Sequence, residues 1–401
     1  MSIAIYTITS ELHNEQSVSA VTQEFLSSLH TDFDFKGADF TDYGSHPLSL
    51  IYVHTGGTEG IFKRLLPQLR ARTAAPFYLL TSGKSNSLAA SMEILSFLQQ
   101  NGLRGEILHG HPDYIATRIS QLAKVSQARL QLQGCKLGIV GQPSDWLIAS
   151  HADKDRVKTL GIELVDIPMQ ELLQAIATSP QEVDHCYLEL ASRQPSIRQS
   201  LPGAMQIYHA LRSLCSRHQL QGFTLRCFDL LTAVHNTGCL ALARLNAEGF
   251  VAGCEGDVPA MLSMKIAQAL LGVSGFQANP ASVDPLTGRL LFAHCTIPLN
   301  LVERYELDTH YESGIGVGIR GYMKEGPVTI FKVSADLTRH FAEEGLLMKS
   351  QAQPDLCRTQ QVIQLDNTQR ASYFLTNPIG NHHIILPGHH KQLLDEMMLN
   401  A

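Results

Sequence analysis

The segment that decides the fold reads LSLIYV at residues 48–53, followed by HTGGTEG at residues 54–60. The first part is a short apolar run of the length of a buried strand, and the second is a glycine-rich loop. Apolar residues then recur at helical spacing over residues 61–69. The same order of strand, loop and helix returns at residues 77–99. This alternation predicts an α/β fold with a mostly parallel sheet.

Two loops follow these strands, at residues 54–60 and 81–87. In open parallel sheets, ligands bind at the carboxyl ends of the strands. Neither loop contains a GxGxxG or Walker sequence, so nucleotide binding is poorly supported. The glycines could equally serve only the tight connections from strand to helix.

The α/β pattern resumes at residue 135, after a glutamine-rich stretch at residues 127–133. From about residue 272, short strand-like runs separated by Gly, Pro and Asp replace the helical spacing, which indicates an antiparallel sheet or small barrel. We therefore predict two Rossmann-like α/β domains, at residues 1–130 and 131–272. A β-rich, barrel-like C-terminal domain with a terminal helix follows at residues 273–401.

Composition narrows the classes of function. The 401 residues are 44% hydrophobic, carry a net charge of -6 and contain no long basic run, which argues against nucleic acid or an anionic membrane as the main partner. The eight cysteines form no CxxC pair, and we expect reduced thiols rather than disulfides. No apolar run reaches the length of a membrane span and no signal peptide is evident, so we expect a cytoplasmic protein.

The sequence GCEGDV at residues 253–258 places two acids between apolar segments. A buried carboxylate is costly unless it is paired, hydrogen-bonded or bound to a metal. Asp257 precedes Pro259 closely enough to cap a helix, which is as good an explanation as a functional one. Glu255 has no such structural explanation and is the first candidate for chemistry.

Acids and histidines concentrate in the second half of the chain, including Asp284, His294 and His382. Their spacing matches no compact zinc motif, and each could be purely structural. A mixed set of carboxylates and imidazoles suits Mn²⁺ or a similar divalent ion. Trp146, the only tryptophan, lies near Gln142 and could either stack on a sugar or belong to the core.

Several of these positions form an ordered pattern: CEGD at residues 254–257, Asp284, AHC at residues 293–295 and GNHH at residues 380–383. The pattern resembles the L-fucose isomerase and L-arabinose isomerase superfamily, and most closely its shorter L-fucose isomerase-like members. The resemblance implies a metal site, with His383 as a competitor for the last position. The implied ligands are Glu255, Asp284, His294 and His382.

The implied activity is metal-dependent aldose–ketose isomerisation of a pentose or deoxyhexose such as L-fucose, D-arabinose or L-arabinose. A cation, Mn²⁺ or similar, would stabilise a cis-enediolate, and Glu255 and Asp284 would act in turn as base and acid. The resemblance also implies a homo-oligomer, trimer or hexamer, whose sites lie between subunits. The expected substrate contacts are Trp146, Gln142, Asn381, Thr55, Glu59 and Asn86.

Other interpretations remain open at the level of sequence. The substrate could be an unusual anionic sugar, isomerised or epimerised, with Lys84 or Arg320 meeting its charge. A sugar-binding protein of the same fold could have lost turnover. A metal-dependent hydrolase has no further support in the sequence.

Overall fold

The structure is a computed structural model that describes residues 3–13 and 15–399. Contacts divide the chain into two compact units, one up to Leu130 and one from Gln131 to Leu399. The domain boundaries drawn from the sequence at residues 130 and 272 stay predictions. The units are described separately below.

The first unit is built on a five-stranded, wholly parallel sheet in the order β2-β1-β3-β4-β5. Its strands are β1 (Ile3–Ile8), β2 (Phe33–Gly37), β3 (Leu48–Val53), β4 (Phe77–Leu80) and β5 (Gly105–Leu108). Its helices are α1 (Glu15–Ser28), α2 (Glu59–Arg72), α3 (Ser87–Gln100) and α4 (Pro112–Leu132), with a 3-10 turn at Lys84–Asn86. Apolar side chains on both faces of the central strands pack under the helices, as the continuous apolar runs predict.

The second unit begins with a four-stranded parallel sheet in the order β7-β6-β8-β9. The strands are β6 (Cys135–Val140), β7 (Ile162–Ile167), β8 (Gly222–Leu225) and β9 (Val251–Cys254). The helices are α5 (Lys154–Thr159), α6 (Met169–Thr178), α7 (His185–Leu190), α8 (Pro195–His218), α9 (Asp229–Ala233), α10 (Cys239–Ala247) and α11 (Val258–Leu271).

A closed antiparallel barrel completes this unit, in the order β10-β11-β16-β15-β14-β17. The barrel strands are β10 (Phe276–Asp284), β11 (Arg289–His294), β14 (Gly326–Val333), β15 (His340–Gln351), β16 (Thr359–Leu365) and β17 (His383–Pro387). A separate ribbon pairs β12 (Val302–Asp308) with β13 (Gly318–Met323), and two further helices are α12 (Tyr373–Thr376) and α13 (Lys391–Leu399). The predicted fold class, two parallel α/β sheets followed by a barrel-like β region, is confirmed.

One hydrophobic core runs through the parallel sheet and the barrel of the second unit. Leu225 and Leu242 from the α/β part belong to the same buried cluster as Phe292 and Ile385 from the barrel. Because burial of apolar surface is the main favourable term in folding, the two layers support each other. This shared core holds the end of β9 close to the ends of β11 and β17.

Two helices differ from what the sequence predicts. The sequence predicts a helix over residues 205–218, but α8 starts at Pro195 with Pro202 inside it; an internal proline normally indicates a break. The sequence also predicts a helix directly after Trp146, but the next one begins only at Lys154. Among the described residues, no helix has both the length and the apolar character needed to cross a bilayer.

Candidate active site

Glu255 lies in the turn that joins β9 to α11. Its φ is 62°, and that of the next residue, Gly256, is 70°. Left-handed backbone is unfavourable for a side-chain-bearing residue such as Glu255 and concentrates at functional sites. A Cβ on Gly256 would lie 2.7 Å from the carbonyl oxygen of Gln142, so only glycine fits there. The Ser144 amide donates to the Glu255 carbonyl at 3.0 Å, which helps to hold the turn.

Two histidines from the barrel meet the Glu255 carboxylate. His294 is the last residue of β11, and His382 immediately precedes β17. Their Nε2 atoms lie 3.6 Å and 3.5 Å from Glu255 Oε1. The ligand atoms of the three residues all lie within 4.8 Å of one another. Glu255, His294 and His382 are at most 9% exposed, so this group, which we call the Glu255 cluster, is buried.

A contact at the Nδ1 atom of each histidine fixes the orientation of its ring. His382 Nδ1 lies 2.9 Å from Asp257 Oδ2, and His294 Nδ1 lies 2.8 Å from Thr296 Oγ1. With Nδ1 carrying the proton and donating to the oxygen, the Nε2 lone pair of each ring points toward Glu255. Among the described residues, His382 Nε2 is buried without a hydrogen-bond partner. A buried nitrogen in this state suits a metal ion, and carboxylate with imidazole is a suitable donor set.

Asp257 has two roles in this region. It caps α11, accepting from the Ala260 amide at 2.7 Å, as the sequence predicted. It also forms a buried ion pair with Lys332 of β14, whose Nζ lies 3.4 Å from the carboxylate. Burial alone would raise the pKa of Asp257, but Lys332 and His382 hold it at about 2. The carboxylate is therefore charged and orients His382.

The carboxylate and the imidazoles of the cluster shift each other's pKa values. Burial alone would raise the pKa of Glu255, but His382 and His294 hold it well below its usual range. Burial alone would lower the pKa of His382, but Glu255 and Asp257 raise it to about 9.

An aromatic surface extends from the other oxygen of Glu255. Trp146 Nε1 donates to Glu255 Oε2 at 2.8 Å, while the tryptophan as a whole is 51% exposed. The Trp146 ring meets Phe228 edge-on, and Phe228 meets His310 in the same way, with ring centroids 4.9 Å and 5.5 Å apart. Tryptophan with one end on a buried acid and the other in solvent is suited to stacking against a sugar.

The loop between β12 and β13 carries Glu312 and His310, and charges in the cluster shift the pKa values of both. Burial and the charge of Glu255 raise the pKa of Glu312. Burial and the charge of His294 lower the pKa of His310 to about 4, so this imidazole is neutral.

The structure does not bring Asp284 to the Glu255 cluster. Asp284 ends β10 in the turn to β11, is partly buried, and accepts from the Leu286 amide and the Thr287 hydroxyl. It pairs with Arg289, five positions before His294 on β11, so roughly 17 Å of extended strand separates it from that histidine. An aspartate before proline bonds readily to its own turn, and that local role accounts for it.

We therefore expect Asp284→Asn to leave function nearly intact. The side chain bonds only to its own turn, so the free energy of unfolding should change by no more than about 0.5 kcal/mol. The affinity of the Glu255 cluster for a divalent cation, measured by titration, should stay within about twofold of that of the unchanged protein. A loss of more than tenfold in this affinity would return Asp284 to the candidate ligands.

His383, the alternative to His382, faces the barrel interior. Its Nε2 lies 3.0 Å from the Tyr373 hydroxyl and its Nδ1 lies 3.0 Å from the Asn381 carbonyl oxygen. Burial lowers its pKa to about 3. Both ring nitrogens are occupied, so His383 is a structural histidine in this arrangement.

The other proposed substrate contacts have mixed positions. Gln142 is exposed, and exposed Asn381 accepts from the His382 amide through its own side chain. In the first unit, Thr55 is fully buried and accepts from the Ser10 amide. Glu59 begins α2, and Asn86 precedes α3 with a positive φ. Their contact with substrate stays a prediction.

Sequence reasoning missed three supporting groups. They are the Asp257–His382 contact, the Lys332 charge beneath it and the Thr296 contact to His294. Asp257 could have been found, since it lies two residues from Glu255, while Lys332 belongs to an ordinary strand-like run. A second group, Glu344, Asp366 and His389, is largely exposed, and surface acids commonly cluster without an ion.

Comparison with known proteins adds one similarity. No protein-family profile matches the chain. The sequence is similar to sulfoquinovose isomerase from Clostridium sp. (strain MSTE9), with 24% identity over 222 residues. The match covers 53% of this chain and 48% of the relative, so the chain spans about half of that protein's length. The similarity supports a relation to sugar isomerases, without pointing specifically to the L-fucose and L-arabinose isomerase superfamily.

Proposed function

We propose that this protein is a divalent-cation-dependent aldose–ketose isomerase whose active site is the Glu255 cluster. The observation that carries the proposal is the convergence of one carboxylate and two imidazoles, in which the buried Nε2 of His382 has no hydrogen-bond partner among the described residues. The exposed Trp146 beside this cluster supports a sugar as the ligand. The similarity to a sugar isomerase supports the reaction class.

Glu255, His294 and His382 would hold the cation, and Mn²⁺ is the ion we expect. A divalent cation at such a site lowers the pKa of a sugar hydroxyl and stabilises enediolate charge. Asp257 and Thr296 orient the two rings, and Trp146 fixes the second oxygen of Glu255. Of the two carboxylates first assigned to proton transfer between C1 and C2, Glu255 is the one we retain.

The substrate class has two candidates. Neutral pentoses and deoxyhexoses, such as L-fucose, D-arabinose or L-arabinose, follow from the resemblance of the motifs. A sulfonated sugar is favoured by the similarity to sulfoquinovose isomerase. Arg320 offers one buried nitrogen, Nη1, without a hydrogen-bond partner among the described residues, while its Nη2 is paired with Asp308 at 2.7 Å. The amide of Ile319, the residue before Arg320, donates to the carbonyl oxygen of Cys295, the residue after His294. We place the sulfonated class first.

The test measures proton exchange at sugar C2 in deuterated water, with NMR as the readout. The panel contains sulfoquinovose, L-fucose, D-arabinose and L-arabinose, each with Mn²⁺ and with Mn²⁺ plus chelator. We expect chelator-sensitive exchange on at least one sugar, since enediol chemistry moves this proton even where net conversion is small. Absence of exchange on every sugar, with Mn²⁺ bound, would contradict the isomerase and favour a non-catalytic sugar-binding protein.

Assembly stays a prediction. The resemblance implies a homo-oligomer with sites between subunits, in which the loop residues 55–59 and 82–87 would contact substrate bound to a neighbouring chain. Lys84 of the second loop lies 3.6 Å from Glu24 on the surface, so it has a local partner of its own.

A further inference from the structure

Asn279 lies on β10, two residues after Gln277. Side chains two apart on a strand share a face. Gln277 faces the α/β layer, where its side-chain oxygen accepts from the Cys254 amide at 2.9 Å. The alternate residues, Phe276 and Ala278, belong to the hydrophobic core. Asn279 therefore projects on the side of Gln277, toward the turn that carries Glu255.

Strand register places the backbone of Asn279 beside the segments that carry both histidines of the cluster. On one side, Asn279 pairs with Ala293, the residue before His294. On the other side, Ala278 pairs with His383 in an antiparallel arrangement. This ladder ends at that pair, and continuing it by one residue would set Asn279 opposite His382. The strand position of Asn279 is thus flanked by the chain segments that supply two of the three cluster residues.

The Asn279 side chain has an unmet acceptor. Its Oδ1 is buried and has no hydrogen-bond partner among the described residues. A buried acceptor without a partner is destabilising, and such groups call for an explanation. Gln277, the adjacent amide on the same face, has both of its polar ends bonded to Cys254. The contrast leaves the Asn279 oxygen available to a bound group.

We propose that Asn279 Oδ1 is a further ligand of the cation held by Glu255, His294 and His382. This inference rests on the proposed function. Amide and carboxylate oxygens are the ligands that Mn²⁺ and Mg²⁺ accept, together with imidazole. The donor set then contains one carboxylate and three neutral groups. The bound ion keeps more of its positive charge than it would with a second carboxylate such as Asp284.

The test measures Mn²⁺ affinity through the fluorescence of Trp146, so the result does not depend on turnover. Trp146 is the only tryptophan and is bonded to Glu255, so a paramagnetic ion at the cluster should quench it. We expect Asn279→Ala to bind Mn²⁺ on the order of tenfold more weakly. Asn279→Asp, which adds a charge, should bind it on the order of tenfold more tightly. Asn377→Ala, at an exposed amide bonded to Arg339, is the matched control and should bind as the unchanged protein does.

The outcomes separate this inference from the proposed function. No Mn²⁺ binding by the unchanged protein would overturn both. Binding by the unchanged protein with equal affinity in Asn279→Ala would overturn only the role of Asn279. The same holds if Asn279→Ala weakens sugar binding alone, because the amide would then contact the substrate. If Asn279→Ala does not fold, Asn279→Asp decides, and binding no tighter than in the unchanged protein overturns the inference.

Discussion

Replacing Glu255 with glutamine is expected to abolish the proposed isomerisation while the protein still folds. Glutamine keeps the shape and the Trp146 contact but removes the only carboxylate of the Glu255 cluster. We expect turnover to fall at least about a thousandfold, because both charge stabilisation and proton transfer are lost. Mn²⁺ affinity should fall on the order of a hundredfold. Turnover is measured by C2 exchange, metal binding by Trp146 fluorescence and folding by circular dichroism.

A surface glutamate provides the control for this change. Glu189→Gln alters a residue on α7 whose side chain is 69% exposed, and it should leave turnover and metal affinity unchanged. A Glu255→Gln variant that binds no Mn²⁺ yet isomerises at the original rate would exclude the metal-dependent mechanism. A variant that fails to fold would instead assign Glu255 to stability.

Removing the Asp257 side chain should cause the largest loss of stability. Lys332 and Asp257 are at most 1% exposed, and each is the other's buried charge partner. Breaking a buried pair by removing one member costs about 3–5 kcal/mol, because the remaining charge is stranded. We expect Asp257→Ala to lose that much in the free energy of unfolding, measured in denaturant with chelator present.

A double variant separates the ion pair from the orientation of His382. Asp257→Asn with Lys332→Met removes both charges, and buried pairs can often be replaced by neutral groups at little cost in stability. We expect this variant to recover most of the lost stability and to remain about tenfold or more weaker in Mn²⁺ affinity. Unchanged stability in Asp257→Ala would contradict the buried pair. Full metal affinity in the double variant would contradict the orienting role of Asp257.

Most of the fold could be predicted from local patterns in the sequence. Parallel strands buried on both faces are continuous apolar runs, and such runs predicted β3, β4 and β6 directly. Strand β12 was missed because four of its seven residues, in VERYELD, are charged and its side chains are mostly outside the core. Strand β15 was missed because acids interrupt it, at Glu343 and Glu344, although Glu343 is paired with Arg370.

The site was only partly predictable for a related reason. Glu255, His294 and His382 stand out because acids and histidines in apolar sequence are unusual. Asp284 was included on the same ground, but its contacts are to its own turn, which residue type alone does not reveal. Asn279 carries no charge, and only the register of β10 with its neighbours and its unpartnered oxygen distinguish it. Pairing across a barrel depends on long-range contacts that a local pattern does not contain.

The core shared by the parallel sheet and the barrel has a consequence for modularity. Glu255 comes from one layer and both histidines come from the other, and the same apolar cluster continues beneath them. A cut at residue 272 would divide the donor set and expose apolar surface on both pieces. A barrel transplanted alone into another protein would therefore carry the two histidines without Glu255. Recombination that preserves function would have to exchange residues 131–399 as one block.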